Sequence, residues 1–387
     1  MMTLEGLDLS GRSFVRNLEQ ARASGRLPFD LTETNPARCG LAWDPVELAN
    51  ILGDRRSAAR KGDPSNLAKA REAISSYLAS RGASLPPDRI VLTSSRGAAY
   101  SRLLKLLCEP CDDVLVPSPS TPLLEKLAEV HSVNLARYAL VCDDEWHLDR
   151  KSLRKAITRH TRAVVVGNPS EPTGATLSRE DLAFAEDLCS TRGIALIADE
   201  TFADTVPDPC PSVAQASRCL AFHVAGLSGI CGLPELEADW VAVAGPDELV
   251  APALERLLRA TDVEPSVPAP IQHALPTLLA RREHFLQPLR ARLTENRSSL
   301  ALAALREAPW ALHGGRGSCW AVLEVGTAHS GEALGLALLE DGVGVHPGSL
   351  HGLPDSGYLV VSLLPAPEIF SEALALLDRR LRAPLFG

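Results

Sequence analysis

Short apolar runs alternate with longer stretches of helical periodicity through the middle of the chain. Six of these runs have the length and composition of buried strands, at residues 89–93, 113–117, 163–167, 194–198, 219–223 and 240–244. Helices are expected at about residues 97–107 and 122–130, and after Ser178, an N-cap residue type that has Asp181 three positions later. Continuous apolar strands separated by helices predict a mainly parallel sheet with helices on both faces.

The pattern changes after residue 268, where a long helical stretch runs to about residue 308. Strand patterns follow at residues 318–325, 343–345 and 358–363, with helical patterns at 331–339 and 367–381. The sequence therefore predicts an α/β fold with two domains. The large domain, at residues 51–284, is expected to have a mainly parallel mixed sheet sandwiched by helices. Residues 285–387 are expected to form a smaller C-terminal α/β domain, with residues 1–50 packed against it.

The composition of the 387 residues excludes several classes of protein. A hydrophobic share of 45% is that of a globular chain and excludes disordered, collagen-like and coiled-coil proteins. The net charge of −9 argues against a nucleic-acid partner, and no run of 18 apolar residues is present to span a membrane. The nine cysteines are odd in number and scattered, which favours a reduced cytoplasm over a disulfide framework. No metal site is expected.

One segment, residues 163–204, carries a specific motif. It contains N-P-x-x-P-T-G beginning at Asn168, then a helix, an apolar strand and the pair Asp199-Glu200. This order resembles the class I/II aminotransferases, the fold type I enzymes that use pyridoxal phosphate (PLP). Further matching segments are NPARCGLAWD (35–44), DRIVLTSSRGAAY (88–100), VPSPSTP (116–122), GLSGICGLPELEADWVAV (226–243), HPGS (346–349) and YLVVSLL (358–364). The resemblance covers nearly the whole chain and implies the fold type I architecture and a homodimer.

The lysine loop of that family reads approximately S-x-S-K-x-x-G-L-P-G-x-R-x-G. Aligned on the Gly-Leu-Pro at residues 232–234, the pattern places Ser228 at the second serine and Gly229 at the lysine. In the family this lysine forms a Schiff base with PLP, whereas glycine has no side chain to act as nucleophile or base. The six lysines of the chain all lie at or before residue 155. Glu237 aligns with the basic residue that binds the cofactor phosphate, and Asp239 aligns with a glycine.

Other positions that the resemblance implies for cofactor contact differ as well. Glu171 replaces the asparagine that bonds the pyridine 3-hydroxyl. Phe202 aligns with the tyrosine that is the usual partner of that asparagine. Thr121 replaces the aromatic residue that stacks on the ring. The tyrosine that reaches the phosphate in the partner subunit aligns near Arg60.

Two features of the implied cofactor site remain. Asp199 matches the carboxylate that pairs with the pyridinium nitrogen. Ser95, Arg96 and Gly97 lie in a backbone cup at a helix N-terminus, where free N–H groups can hold an anion and Arg96 can add charge. Each also has a purely structural interpretation, as a strand end and as a capped helix start.

These departures lead to one main interpretation and two alternatives. The main one is a pseudoenzyme that is inactive as a transaminase and repurposed to bind an amino-acid-like small molecule, with PLP or its amine form bound non-covalently at most. Glu171, Glu237 and Asp239 would then make the pocket acidic, unless they turn to solvent. One alternative is a non-catalytic partner subunit of an active aminotransferase. The other is an enzyme that uses non-covalent PLP or its amine form, with His223 or an acidic residue as the base.

Overall fold

The computed structural model describes residues 12–53, 68–261, 267–306, 308–315, 317–326 and 330–383. The chain divides into two compact units. The large unit comprises Asn35–Arg290 and Gly315–Ser318, and the small unit comprises Met1–Thr34, Ala291–Gly314 and Cys319–Gly387. The domain boundaries expected at residues 50 and 284 stay predictions.

The helices and strands follow one another in α/β order. The helices are α1 Arg12–Ala23, α2 Pro45–Leu52, α3 Ala68–Ser80, α4 Arg96–Leu107, α5 Leu123–His131, α6 Arg150–Ala156, α7 Arg179–Arg192, α8 Leu227–Ile230, α9 Asp247–Thr261, α10 Ala269–Ala280, α11 Glu283–Leu305, α12 Gly331–Glu340 and α13 Pro367–Arg382. The strands are β1 Phe29–Asp30, β2 Ile90–Thr93, β3 Asp113–Ser118, β4 Asn134–Cys142, β5 Trp146–Leu148, β6 Thr161–Gly167, β7 Ala195–Asp199, β8 Ala221–Gly226, β9 Asp239–Ala244, β10 Ala311–His313, β11 Trp320–Glu324, β12 Val343–Gly344, β13 His346–Pro347 and β14 Tyr358–Ser362.

The large unit is built on an eight-stranded sheet in the order β2-β9-β8-β7-β6-β3-β4-β5. The pairings from β8 through β7, β6 and β3 to β4 are parallel, while β2-β9, β9-β8 and β4-β5 are antiparallel. The expected mainly parallel mixed sheet is therefore confirmed, and all six strands expected in the middle of the chain belong to it. The structure adds β4 and β5, which the apolar pattern did not indicate.

One face of this sheet packs against helices through a large apolar cluster. Phe222 and Val224 of β8 meet Tyr100 and Leu103 of α4 there, and all four side chains are buried. Since side chains alternate across a strand, the residues between them on β8 point to the opposite face. This alternation determines which side chains of β8 can reach the candidate site.

Local sequence signals explain several element boundaries. The Ser178 side chain accepts the peptide N–H of Asp181, and the Asp181 carboxylate accepts the N–H of Ser178, so the capping box expected at α7 is present. The long helical pattern after residue 268 is two helices, α10 and α11, separated at Arg281 and Arg282. None of the helices in the described ranges is long and apolar enough to cross a membrane.

The small unit contains an antiparallel sheet in the order β10-β11-β14-β13 and a parallel pair, β1-β12. Strands β11 and β14 and helices α12 and α13 lie where the sequence pattern placed them, within one to two residues at each end. The expected smaller C-terminal α/β domain is thus confirmed as an architecture.

Candidate functional site

The carboxyl ends of the parallel strands β3, β6, β7 and β8 bring the expected site residues to one edge of the large sheet. Asp199, the last residue of β7, lies opposite Gly167 of β6. The peptide N–H of Asn168 donates to the carbonyl oxygen of Asp199 at 2.8 Å, which joins the two strand ends. The Asn168 side chain is buried: its amide donates to the Pro211 carbonyl at 2.7 Å and accepts the Leu177 N–H at 3.0 Å. The Asn168 side chain therefore stabilises the loop between β6 and α7 through these hydrogen bonds.

Helix α4 begins beside these strand ends because Ser95 caps it. Ser95 has an extended backbone, and its hydroxyl oxygen accepts the N–H of Ala98 at 3.1 Å. Arg96 is the first helical residue, and Tyr100 lies one turn later on the same face. The sequence identified Arg96 as a site residue but missed Tyr100, although its spacing of four from Arg96 was the available signal.

Arg96 is held between two carboxylates. Its Nη1 donates to Glu171 Oε2 at 2.9 Å and lies 3.5 Å from Asp199 Oδ2. Tyr100 donates its hydroxyl to the same Asp199 oxygen at 3.3 Å, and the Thr201 N–H donates to the other at 3.1 Å. Burial favours the neutral form of Arg96, but Asp199 and Glu171 outweigh it and raise the pKa of the guanidinium above its ordinary value.

Little space remains around this ion pair. The cavity has a volume of about 20 Å³, which is room for about one water molecule. Four residues expected at the site line it, namely Thr121, Glu171, Asp199 and Phe202. The sequence thus identified four of the lining residues, while the ion pairs of Arg96 with Glu171 and Asp199 beside the cavity were not foreseen.

Gly229 lies on α8, the short helix that follows β8, and is buried. A Cβ at this position would approach the carbonyl carbon and Cγ2 of Thr201 to 2.8 Å, and the Thr201 carbonyl oxygen even more closely. Because backbone atoms make up most of this obstruction, a side chain cannot be added without moving the turn after β7. Neighbouring Ser228 is half-buried on the same helix.

The two acidic residues of the lysine loop take opposite orientations. Glu237 is exposed in a left-handed conformation with φ of 46°, at the end of a short 3-10 turn. Asp239 is 95% buried at the start of β9. Burial raises the pKa of Asp239 to about 7 against the opposing influence of the Arg96 charge. Glu237 therefore turns to solvent, whereas Glu171 lines the cavity and Asp239 is buried.

His223 lies away from this cavity. The expectation that His223 ends its strand is wrong, because β8 continues to Gly226 and leaves His223 mid-strand. Its neighbours Phe222 and Val224 face the α4 side, so His223 faces the other side, where its Nε2 is 3.6 Å from Glu200 Oε2. Burial lowers the pKa of His223 to about 3 and raises that of Glu200 to about 7. His223 is not among the residues that line the cavity.

The residues present do not fit the PLP group that the resemblance implies. A cofactor-sized ligand needs a pocket of roughly 300 Å³ or more, whereas this cavity holds about 20 Å³. Arg96 lies between the two positions that would contact the pyridine ring. Of the residues that line the described cavity, none is a lysine. The described ranges also contain no cluster of three or more metal-ligating side chains. Arg60 lies outside the described residues.

Comparison with known proteins places these observations in a family. Residues 39–369 match the family described as aminotransferase class I and II. The alanine aminotransferase of Mycobacterium tuberculosis (strain H37Rv) is 30% identical over 74% of this chain and 68% of its own length. The S-alkyl-thiohydroximate lyase of Arabidopsis thaliana is 24% identical over 64% of this chain and 55% of its own length. The structure of an alanine aminotransferase from Pyrococcus furiosus superposes with a TM-score of 0.87 at 22% identity, over 99% of this chain and 100% of that one.

Proposed function

We propose that this chain, which belongs to the class I and II aminotransferase family, is a member that performs no transamination through a lysine Schiff base. The observation that carries the proposal is the position of Arg96, which bonds Glu171 and lies beside Asp199. The aligned family positions contact the 3-hydroxyl and the nitrogen of one pyridine ring. A guanidinium between them occupies the space of that ring.

The surroundings of Gly229 support the same proposal. A catalytic lysine needs a Cβ, and the Thr201 backbone occupies the space in which that Cβ would lie. The departure from the family pattern is therefore larger than the loss of one side chain, because the Thr201 backbone fills the space in which the lysine side chain would begin. A cavity of about 20 Å³ is also too small for an amino acid, which argues against a small-molecule receptor at this site.

A non-catalytic partner subunit is the role that we favour. The resemblance implies a site built at a dimer interface, so a chain without the lysine can still complete or regulate a lysine-bearing partner. An enzyme with non-covalent PLP ranks last, since His223 lies on the opposite face of the sheet from the cavity. All nine cysteines are free thiols, which supports the proposed cytoplasmic location.

The first experiment is a titration of the purified chain with PLP, followed by near-UV and visible absorbance, borohydride trapping and peptide mapping. We expect no saturable spectrum and no stoichiometric adduct, while a lysine-bearing family member gives both. A stoichiometric adduct on one lysine would refute the proposal. A saturable spectrum without an adduct would instead support the non-covalent enzyme.

The partner role has a separate test. Native mass spectrometry of the chain purified from its own source distinguishes a homodimer from a heteromer. Co-purification at equal stoichiometry with a lysine-bearing aminotransferase is expected if the chain completes that enzyme's site. A homodimer that gains no partner and changes no aminotransferase activity on mixing would refute this role.

A further inference from the structure

Another cavity lies in the large unit, beside the start of α2 and the start of α11. Its volume is about 180 Å³, against about 20 Å³ beside Arg96, and the two cavities share no lining residue. Because a drug-sized ligand needs roughly 300 Å³ or more, this cavity suits a smaller molecule. The proposed function, which concerns the site at Arg96, does not involve it.

Three ring-bearing side chains line this cavity, those of Trp43, His284 and Phe285. Trp43 is buried and held in place, because its indole Nε1 donates to the Cys231 carbonyl oxygen at 2.7 Å. The ring centroids of Trp43 and His284 are 6.2 Å apart with the planes inclined at 45°, so the two rings do not stack on each other. Aromatic faces carry partial negative charge and attract cations within roughly 6 Å of a ring centroid, so this lining favours a cation.

The charged side chains that line the cavity are acidic. Asp44 and Glu47 belong to the lining, and none of the described residues that line it is a lysine or an arginine. Glu47 Oε1 accepts a hydrogen bond from Arg281 and lies 3.8 Å from His284 Nδ1. Asp44 Oδ1 accepts the N–H groups of Val46 and Glu47 at 2.9 and 2.8 Å. Asp44 is exposed, so its Oδ2 can face a bound cation.

We propose that this cavity binds a small quaternary ammonium ion. Methyl groups cover the charge of such an ion, so it donates no N–H and is recognised by aromatic faces and nearby negative charge. A primary ammonium needs several acceptors for its N–H groups, whereas Glu47 Oε1 and Asp44 Oδ1 already accept other donors. An anion is disfavoured, because both carboxylates would repel it. The ring lining and the acidic lining thus favour the same class of ligand.

The first test titrates the full chain at pH 8 with choline chloride and, separately, with the neutral isostere of choline in which a carbon atom replaces the nitrogen. Sodium chloride keeps the ionic strength constant. The readout is the NMR signal of the Trp43 indole N–H, which the Trp43→Phe variant identifies. We expect choline to shift this signal saturably and to bind at least about tenfold more tightly than the neutral isostere. A signal that choline does not shift, or equal affinity for the two molecules, would overturn the proposal.

The second test removes the Asp44 charge and keeps its capping role. Asp44 and Asp149 each cap a helix by accepting two backbone N–H groups, and Asp149 is not at the cavity. Since asparagine caps helices as well as aspartate does, both Asp44→Asn and Asp149→Asn should fold. We expect Asp44→Asn to weaken choline binding about two- to fivefold and Asp149→Asn to bind choline like wild type. Equal affinity of the two variants would overturn the proposal; if Asp44→Asn does not fold, Glu47→Gln receives the same titration.

Discussion

Replacing Gly229 with alanine measures directly whether the position of the family's lysine is closed. The added methyl group would lie 2.8 Å from two atoms of Thr201, and closer still to its carbonyl oxygen. The Thr201 N–H is held by the Asp199 carboxylate at 3.1 Å, which restrains the turn from moving away. Overpacking of this kind destabilises a protein by about 1–3 kcal/mol, so we expect Gly229→Ala to lower the free energy of unfolding by that amount.

The matched control is Gly97→Ala, in the first turn of α4. A Cβ there would meet Ser95 Oγ at 3.8 Å and Leu123 Cδ1 at 3.9 Å, which are ordinary contacts. Since alanine also restricts the unfolded chain, we expect this variant to be unchanged or stabilised by up to about 1 kcal/mol. Urea unfolding followed by circular dichroism compares both variants with wild type.

A result in which Gly229→Ala is as stable as Gly97→Ala would refute the reasoning, because the turn at Thr201 would then yield to a side chain. Gly229→Lys extends the test to chemistry. We expect it to be at least as destabilised as the alanine variant and to form no Schiff base with PLP. A trapped adduct on the introduced lysine would show that the site still accepts the cofactor.

Two further predictions concern the charged groups. Arg96→Met leaves Glu171 and Asp199 without their cation. Breaking a fully buried ion pair lowers the free energy of unfolding by roughly 3–5 kcal/mol. Because the Arg96 side chain is 24% exposed, we expect a smaller loss of about 2 kcal/mol. Urea unfolding compares this variant with Arg137→Met, which removes the exposed Arg137–Glu125 ion pair and should lower the free energy of unfolding by less than about 1 kcal/mol. Equal losses of stability in the two variants would contradict the stabilising role assigned to Arg96. Burial raises the pKa of Asp239 from 3.8 to about 7, so the folded chain keeps a proton that the unfolded chain has lost. The resulting stability is complete below about pH 4 and declines as the pH rises to about 7, and a wild-type curve parallel to that of Asp239→Asn between pH 4 and 8 would exclude this titration.

The apolar pattern was sufficient for the strands buried on both faces. Strands β6, β7, β8 and β9 are short continuous apolar runs, and they were expected within three residues of their observed bounds. Strand β4 was missed because most of its residues are only half-buried, so its sequence lacks both a continuous run and a clear alternation. Helix α3 was missed as well.

The sequence by itself determined the family architecture, the absence of lysine after residue 155 and four of the residues that line the cavity. Only the tertiary structure decided what those residues do. Glu237 and Asp239 are equivalent in charge and two positions apart, yet the turn before β9 exposes one while the register of β9 buries the other against α4. Arg96 meets carboxylates 75 and 103 residues away because three strand ends converge on one helix start. Such contacts depend on side-chain direction and strand register, which a linear pattern does not contain.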